Sequence, residues 1–112
     1  MIEIPRRLLR QFRSVLRTFV GRGRSVAWPV IVCKAGRHGL TLEARHDEMA
    51  VRYHAPRSFP EDTLAFNSAV LAELEGNNGE LVTLEQTDEG RGVARWIEKG
   101  ESRMVEFETI AA

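Results

Sequence analysis

The stretch that decides the fold is ELVTLEQTDEGRGVARWIEKGESRMVEFETI, residues 80–110. It divides into three runs that mix apolar and polar residues, ELVTLEQ, RGVARWIEK and RMVEFETI, and the turn sequences DEGRG and KGE separate them. Runs of this kind joined by short glycine-containing turns are typical of consecutive antiparallel strands. Residues 80–110 therefore predict three strands of an antiparallel sheet.

The elements before this stretch are a strand and a helix. Thr63–Phe66 predicts a short strand, and AVLAELE (69–75) predicts a helix that Gly76 ends. Asn67 or Ser68 can cap this helix, because both side chains accept hydrogen bonds from free N–H groups of a first turn. The second half of the chain thus has the order strand, helix, strand, strand, strand.

The first half has the same order. Met1–Ile4 predicts a short strand, and a long helix follows it. WPVIVCKA, HGLTLEARH and EMAVRYHA then predict three strands, the last two from their period of two. We predict one domain over residues 1–112, built from two βαβββ repeats of residues 1–57 and 58–112 that meet at the proline-containing loop APRSFPED.

The first helix, RRLLRQFRSVLRTFV, carries an arginine row opposite an apolar stripe. The stripe recurs with helical period, and Pro5 suits the first helical position. The stripe consists of Leu8, Leu9, Phe12, Val15, Leu16 and Phe19. The arginines are Arg6, Arg10, Arg13 and Arg17 on the far side, Arg7 beside them, and Arg22 and Arg24 in the next loop. No acid lies on this helix, so the row predicts contact with DNA phosphates without base reading. The alternative is an ordinary solvated helix face.

Charge is divided unequally between the two halves. The chain has 16 Lys+Arg and 16 Asp+Glu, but residues 1–57 hold 12 of the basic and 4 of the acidic residues. The net charges are therefore +8 and −8. Asymmetry of this size indicates contact with nucleic acid or association between complementary surfaces.

Composition excludes several classes of protein. A chain of 112 residues that is 43% hydrophobic has one core and no apolar run of about 18 residues to span a membrane. Its single cysteine, Cys33, excludes an internal disulfide and a cysteine-based zinc site within one chain. The first residues lack an apolar stretch of signal-peptide length. We predict a cytoplasmic protein.

The residues also resemble a known family, the sliding DNA clamps typified by the beta subunit of bacterial DNA polymerase III. In the first half, the likeness lies in Pro29-Val30-Ile31 after the helix and in GLTLEARHDEMAV, residues 39–51. The family has a Thr-Asp-Leu-Glu type turn there; Glu48 matches it, and His46 stands in place of its Asp. In the second half, the likeness runs from Leu64-Ala65-Phe66 to Glu80–Glu85.

The resemblance implies a DNA-clamp-like α+β fold, with two helices packed on one face of a curved antiparallel sheet. The family's helices face the DNA backbone, which fits the arginine row. Bacterial members have three such domains, and their pocket for client peptides lies mostly in the last one, so no residue here matches that role.

The resemblance also implies a way to form oligomers. Clamp domains join by pairing their fourth strand with the eighth strand of the next domain, and the corresponding strands here are Glu48–His54 and Arg103–Ile110. The fourth strand carries Arg52 and His54, and the eighth carries Glu106 and Glu108. We therefore predict a head-to-tail homo-oligomer edge with opposite charges across it.

Other candidate sites have weaker support. His38, His46 and His54 match no zinc spacing, and no serine–histidine–aspartate or paired-carboxylate arrangement is apparent. Trp96 is predicted to pack under a helix, and Cys33 to be a buried hydrophobe. We predict no metal, no cofactor and no enzyme activity.

The sequence thus predicts a clamp-like binding or assembly module that contacts non-specific duplex DNA through the basic helix. Two alternatives remain open at this point. One is a module that binds an unknown client protein through its sheet edges without DNA, and the other is a one-domain ring assembled from many copies.

Overall fold

The structure is a computed structural model, and it describes residues 1–20, 28–46 and 49–111. The strands and helices follow one another along the chain in the order that the sequence predicts. In chain order they are β1 (Ile2–Pro5), α1 (Arg6–Val20), β2 (Val30–Gly36), β3 (Gly39–His46), β4 (Met49–Ala55), β5 (Asp62–Asn67), a 3-10 turn (Ser68–Val70), α2 (Leu71–Leu74), β6 (Leu81–Asp88), β7 (Arg91–Glu98) and β8 (Glu101–Glu108).

The described strands form two antiparallel sheets of four strands each, where the sequence had suggested one curved sheet. We call the sheet with the order β1-β6-β7-β8 sheet I, and the sheet with the order β4-β3-β2-β5 sheet II. The two meet where an isolated bridge joins Phe66 to Thr109 and where the Ile110 N–H donates to the Ala65 carbonyl at 2.8 Å.

The two halves of the chain exchange their first strands. Sheet I contains β6, β7 and β8 of the second half and β1 of the first, with Ile2 opposite Leu84. Sheet II contains β2, β3 and β4 of the first half and β5 of the second, with Ile31 opposite Phe66. Each half therefore has the predicted order of elements, and neither half makes a sheet from its own strands alone.

The helices of the two halves differ in length. α1 has 15 residues, whereas the second half forms a 3-10 turn followed by the four residues of α2. Asn67 caps this segment as predicted, since its side-chain oxygen accepts a hydrogen bond from the Ala69 N–H at 2.8 Å. Pro5 closes β1 instead of opening α1.

The inner faces of both sheets and the two helices contribute to one hydrophobic core. Alternate residues of each strand point into it, as period two requires. Helical core residues are Leu9, Phe12, Leu16, Leu71 and Leu74, and strand residues include Ile4, Ile31, Leu42, Phe66 and Leu84. Val15, at the margin of the predicted apolar stripe, is exposed. The side of α1 opposite Leu9, Phe12 and Leu16 therefore faces away from the core.

Candidate nucleic-acid interface on helix α1

Arg6, the first arginine of α1, is buried in the protein. Its side chain is 8% exposed, and Nε donates to the Leu74 carbonyl at 3.0 Å while Nη2 donates to the Glu75 carbonyl at 2.8 Å. These two carbonyls end α2, where no further helical turn supplies N–H groups for them. Arg6 therefore satisfies the end of the second helix.

Arg6 also contacts sheet I. Its guanidinium carbon lies 4.7 Å from the centre of the Trp96 ring, and Nη1 lies 3.8 Å from Glu98 Oε2. Trp96 is buried beneath this stack, which confirms its predicted packing under a helix. Arg6 must accordingly be removed from the predicted exposed row, because the first turn of α1 lies between β7 and the end of α2.

Arg13 is also engaged inside the molecule. Its Nη1 lies 3.2 Å from Glu75 Oε1, and both side chains are 22% exposed. The guanidinium also lies 5.7 Å from the centre of the Trp28 ring, which is half-buried. The charge of Arg13 is thus largely balanced by a carboxylate from the other half of the chain.

Three arginines of α1 remain at the surface. Arg7, Arg10 and Arg17 are exposed, and none of them forms an ion pair with a described residue. At about 100° and 1.5 Å per residue, they fall within about 80° of one another and span about 15 Å of helix. We call these three residues the arginine row. Arg22 and Arg24, predicted to extend it, lie outside the described residues.

The second helix adds no positive charge beside this row. α2 carries the exposed Glu73, and Glu75 directly after it is paired with Arg13. Of the two helices, only α1 therefore presents exposed basic residues in the described part of the chain, and a close-fitting channel lined by both helices is disfavoured by charge.

The predicted oligomer edges lie on the outer strands of the two sheets, but the last two residues predicted for the second edge, Thr109 and Ile110, pair with β5 of the same molecule. β4 ends sheet II and β8 ends sheet I. Arg52 is exposed with its Nε 3.8 Å from Glu43 Oε2, and His54 Nδ1 lies 3.1 Å from Thr41 Oγ1.

The second edge, on β8, is acidic at its C-terminal end. Glu106 and Glu108 are both exposed, and Glu106 lies 3.8 Å from a guanidinium nitrogen of Arg91. The ion pairs at both edges are solvent-exposed and contribute little to stability. Because the four predicted edge residues are all exposed, a partner could reach them.

Sequence reasoning missed a cleft between the start of α1 and the end of β4. It has a volume of about 420 Å³, and its lining includes Glu3, Arg7, Gln11, Tyr53, Arg57 and Phe59. We call it the α1–β4 cleft. Tyr53 gave only a strand pattern in the sequence, and Arg57 and Phe59 appeared only as loop residues, so no local signal placed them beside Arg7.

Other predicted features can be located as well. Cys33 is fully buried, and desolvation raises the pKa of its thiol from 9.0 to about 12. No group of three His, Cys, Asp or Glu residues suited to a metal ion occurs among residues 1–20, 28–46 and 49–111. None of the helices in the described part of the chain is long and apolar enough to cross a membrane.

Comparison of the chain with protein-family models and with curated protein sequences found no match.

Proposed function

We propose that this chain is a non-enzymatic, clamp-like binding module that contacts the backbone of duplex DNA through the arginine row. One observation carries the proposal: Arg7, Arg10 and Arg17 share one exposed helix face, without an ion-pair partner among the described residues. An unpaired row of guanidinium groups on a rigid helix binds phosphates with little ordering cost. The proposed contact is insensitive to base sequence, because arginines that bind phosphates do not contact the base edges in the grooves.

The topology supports the clamp-like part of the proposal. Two halves with the order strand, helix, strand, strand, strand interlock by exchanging their first strands. Two helices contribute to one core with the inner faces of both sheets, and α1 turns its arginine row away from that core. This agrees with the sequence likeness to the sliding clamps, whose helices face the DNA.

Fluorescence anisotropy of a labelled duplex at low salt tests the DNA contact. The double variant Arg10→Glu/Arg17→Glu should abolish binding, because it reverses two of the three charges of the row. The matched control is Arg95→Glu/Arg103→Glu on sheet I, which changes the net charge equally at exposed sites. Equal loss of binding in both double variants, or no binding by the unmodified protein at micromolar concentration, contradicts the proposal.

A second candidate function is assembly through the sheet edges. It is favoured by one observation: β4 is the outer strand of sheet II, and β8 is the outer strand of sheet I as far as Glu108, after which the chain pairs with β5. Arg52 and His54 lie on the first edge, and Glu106 and Glu108 lie on the second. Pairing β4 of one copy with β8 of the next would join backbone groups that are otherwise open. Such a contact is head-to-tail, so it closes into a ring or continues as an open chain.

Sedimentation velocity over a range of concentrations tests the assembly. The assembling protein should sediment above its 12.7 kDa monomer mass as concentration rises. Arg52→Glu should weaken association, and Arg52→Glu/Glu108→Arg should restore part of it, because opposite charges then face each other again. A constant monomer mass excludes the homo-oligomer and leaves the edges for an unknown client protein.

A further inference from the structure

The α1–β4 cleft has an aromatic wall that is held in place before any ligand arrives. Phe59 is half-buried against the core, and its N–H donates to the Gly36 carbonyl at 3.0 Å. The Arg57 N–H donates to the Ala55 carbonyl at 2.9 Å. The segment after β4 thus turns tightly at the end of its own strand and is held to the end of β2, so ordering it costs a ligand little free energy.

Tyr53 forms the second aromatic surface of the cleft. It lies on the inner side of β4 opposite Leu42, which is fully buried, yet Tyr53 itself is 37% exposed. The exposure arises because the cleft opens beside it, where α1 does not cover the sheet edge. An aromatic side chain on the core side of a strand is consequently accessible from solution.

Positive charge flanks these aromatic rings. The Arg57 guanidinium lies over the Phe59 ring, 4.9 Å from its centre, so these two side chains form one stacked pair in the wall of the cleft. Arg7 belongs to the helical wall. Glu3 is the one acid among the described lining residues. Arg7 also begins the arginine row, so a chain of phosphates that reaches the cleft can continue along α1.

The aromatic rings and arginines of the α1–β4 cleft together suit an unpaired nucleotide. The volume of the cleft is at the small end of the range of ligand pockets, which is enough for one planar base with its sugar. Aromatic rings stack on any base, and arginine adds cation–π contact and phosphate binding. In a duplex the base faces are covered by neighbouring bases, so only a single-stranded segment can offer a base to Tyr53.

We propose that the α1–β4 cleft binds single-stranded nucleic acid by stacking one unpaired base on Tyr53, beside the stacked Arg57 and Phe59 side chains, while Arg7 and Arg57 hold the adjoining phosphates. The inference goes beyond the duplex contact of the arginine row and shares only Arg7 with it. It assigns Tyr53, Arg57 and Phe59 to a binding surface that the helix face does not include.

The test uses the full chain and a labelled oligothymidylate about ten nucleotides long, within the site sizes of single-strand-binding domains. Tyr53→Ala should weaken binding of this oligomer about 5- to 160-fold, the range observed when one stacking aromatic is removed. Tyr53→Phe keeps the ring and should bind as the unmodified protein does. Arg57→Ala should also weaken binding, whereas its control Arg95→Ala, on the outer face of sheet I, should not.

A second measurement locates the bound base. Tyr53 is the one tyrosine of the sequence, so its ring proton resonances are unambiguous in an NMR spectrum. Stacking of thymine should shift them upfield when oligothymidylate is added, and circular dichroism confirms that each variant is folded. Unmoved ring resonances together with equal affinity of the unmodified protein and Tyr53→Ala overturn the proposal.

The outcomes separate this inference from the duplex contact. Loss of oligothymidylate binding in Tyr53→Ala with unchanged duplex binding supports the cleft as a distinct site. Absence of duplex binding contradicts the proposed function and leaves the cleft proposal standing if Tyr53→Ala still weakens the single-stranded complex. If a polyglutamate peptide shifts the Tyr53 resonances as strongly as oligothymidylate does, the cleft accepts anionic peptides and the nucleic-acid proposal is wrong.

Discussion

The Arg6 guanidinium stacks on the Trp96 ring at 4.7 Å, and the same side chain donates hydrogen bonds to the last carbonyls of α2. One residue thereby joins the start of α1, the end of α2 and an inner strand of sheet I. Two charge-assisted hydrogen bonds and a desolvated cation–π contact are among the stronger single-residue contributions to stability.

Arg6→Ala should therefore destabilise the fold. It leaves one buried and one partly buried carbonyl unsatisfied and removes the stack, so the free energy of unfolding should fall by about 2–4 kcal/mol. Arg6→Lys should recover only part of this, because an ammonium group lacks the planar fork that reaches both carbonyls. Urea denaturation measures the change. The control is Arg10→Ala on the exposed face, expected within about 0.5 kcal/mol of the unmodified protein; equal stabilities of the two alanine variants would contradict this role.

The two glycines of the β2–β3 hairpin should respond differently to alanine. Gly39 has a φ of 135°, and an added Cβ would overlap the Ala55 carbonyl oxygen on β4. Nothing lies within 4 Å of a Cβ added at Gly36. Gly39→Ala should lower the free energy of unfolding by at least about 2 kcal/mol. Gly36→Ala should stay within about 1 kcal/mol of the unmodified protein in the same thermal melts, and a reversed order of the two would show that the hairpin is built differently.

Cys33 should make stability fall at alkaline pH. Its thiol has a pKa of about 12 in the folded chain and 9.0 when exposed. Well below pH 9 it is neutral in both states and adds no pH dependence. Between these values the unfolded chain loses the thiol proton while the folded chain retains it, so the free energy of unfolding falls by about 1.4 kcal/mol per pH unit.

Cys33→Ala isolates this contribution from other groups that titrate in the same range. Well below pH 9, the difference in unfolding free energy between the two proteins should be constant. Above pH 9, the unfolding free energy of the unmodified protein should fall relative to that of Cys33→Ala. Native Cys33 should also resist alkylation, because only a thiolate reacts. If the unfolding free energies of the two proteins change in parallel with pH, or if the folded protein is alkylated rapidly at pH 8, the side chain of Cys33 is not buried.

DNA binding by the arginine row should weaken steeply with salt. Three phosphate contacts predict a slope of about −2.7 in a plot of the logarithm of the association constant against that of salt concentration. Arg10→Ala should reduce the slope to about −1.8, since it removes one contact. Arg13→Ala should leave it nearly unchanged, because Arg13 is paired with Glu75. A slope that Arg10→Ala does not alter would place the contact elsewhere.

The order of elements along the chain could be predicted from the sequence because its signals are local, whereas the exchange of first strands between the two sheets could not. Alternation in HGLTLEARH marked β3, turns at DEGRG and KGE separated β6, β7 and β8, and Asn67 capped the segment that follows β5. Each of these depends on neighbours within a few residues, which is the range over which periodicity and capping act.

The roles of the α1 arginines could not be predicted in the same way. Helical periodicity places Arg6 and Arg13 opposite the apolar stripe, and on an isolated helix both would be exposed. Their partners, Trp96 and Glu75, come from the second half of the chain, and long side chains reach partners beside the helix. The α1–β4 cleft could not be predicted for the same reason, since β4 and α1 come together only in the folded protein.

The exchange of first strands also dictates an order of events during folding. Every strand of sheet II lies within residues 30–67, so this sheet can form from a contiguous piece of nascent chain. Sheet I cannot, because Ile2 must wait for Leu84 to be synthesised. Closing so large a loop is slow, and we expect β1 to pair with β6 only after sheet II has formed.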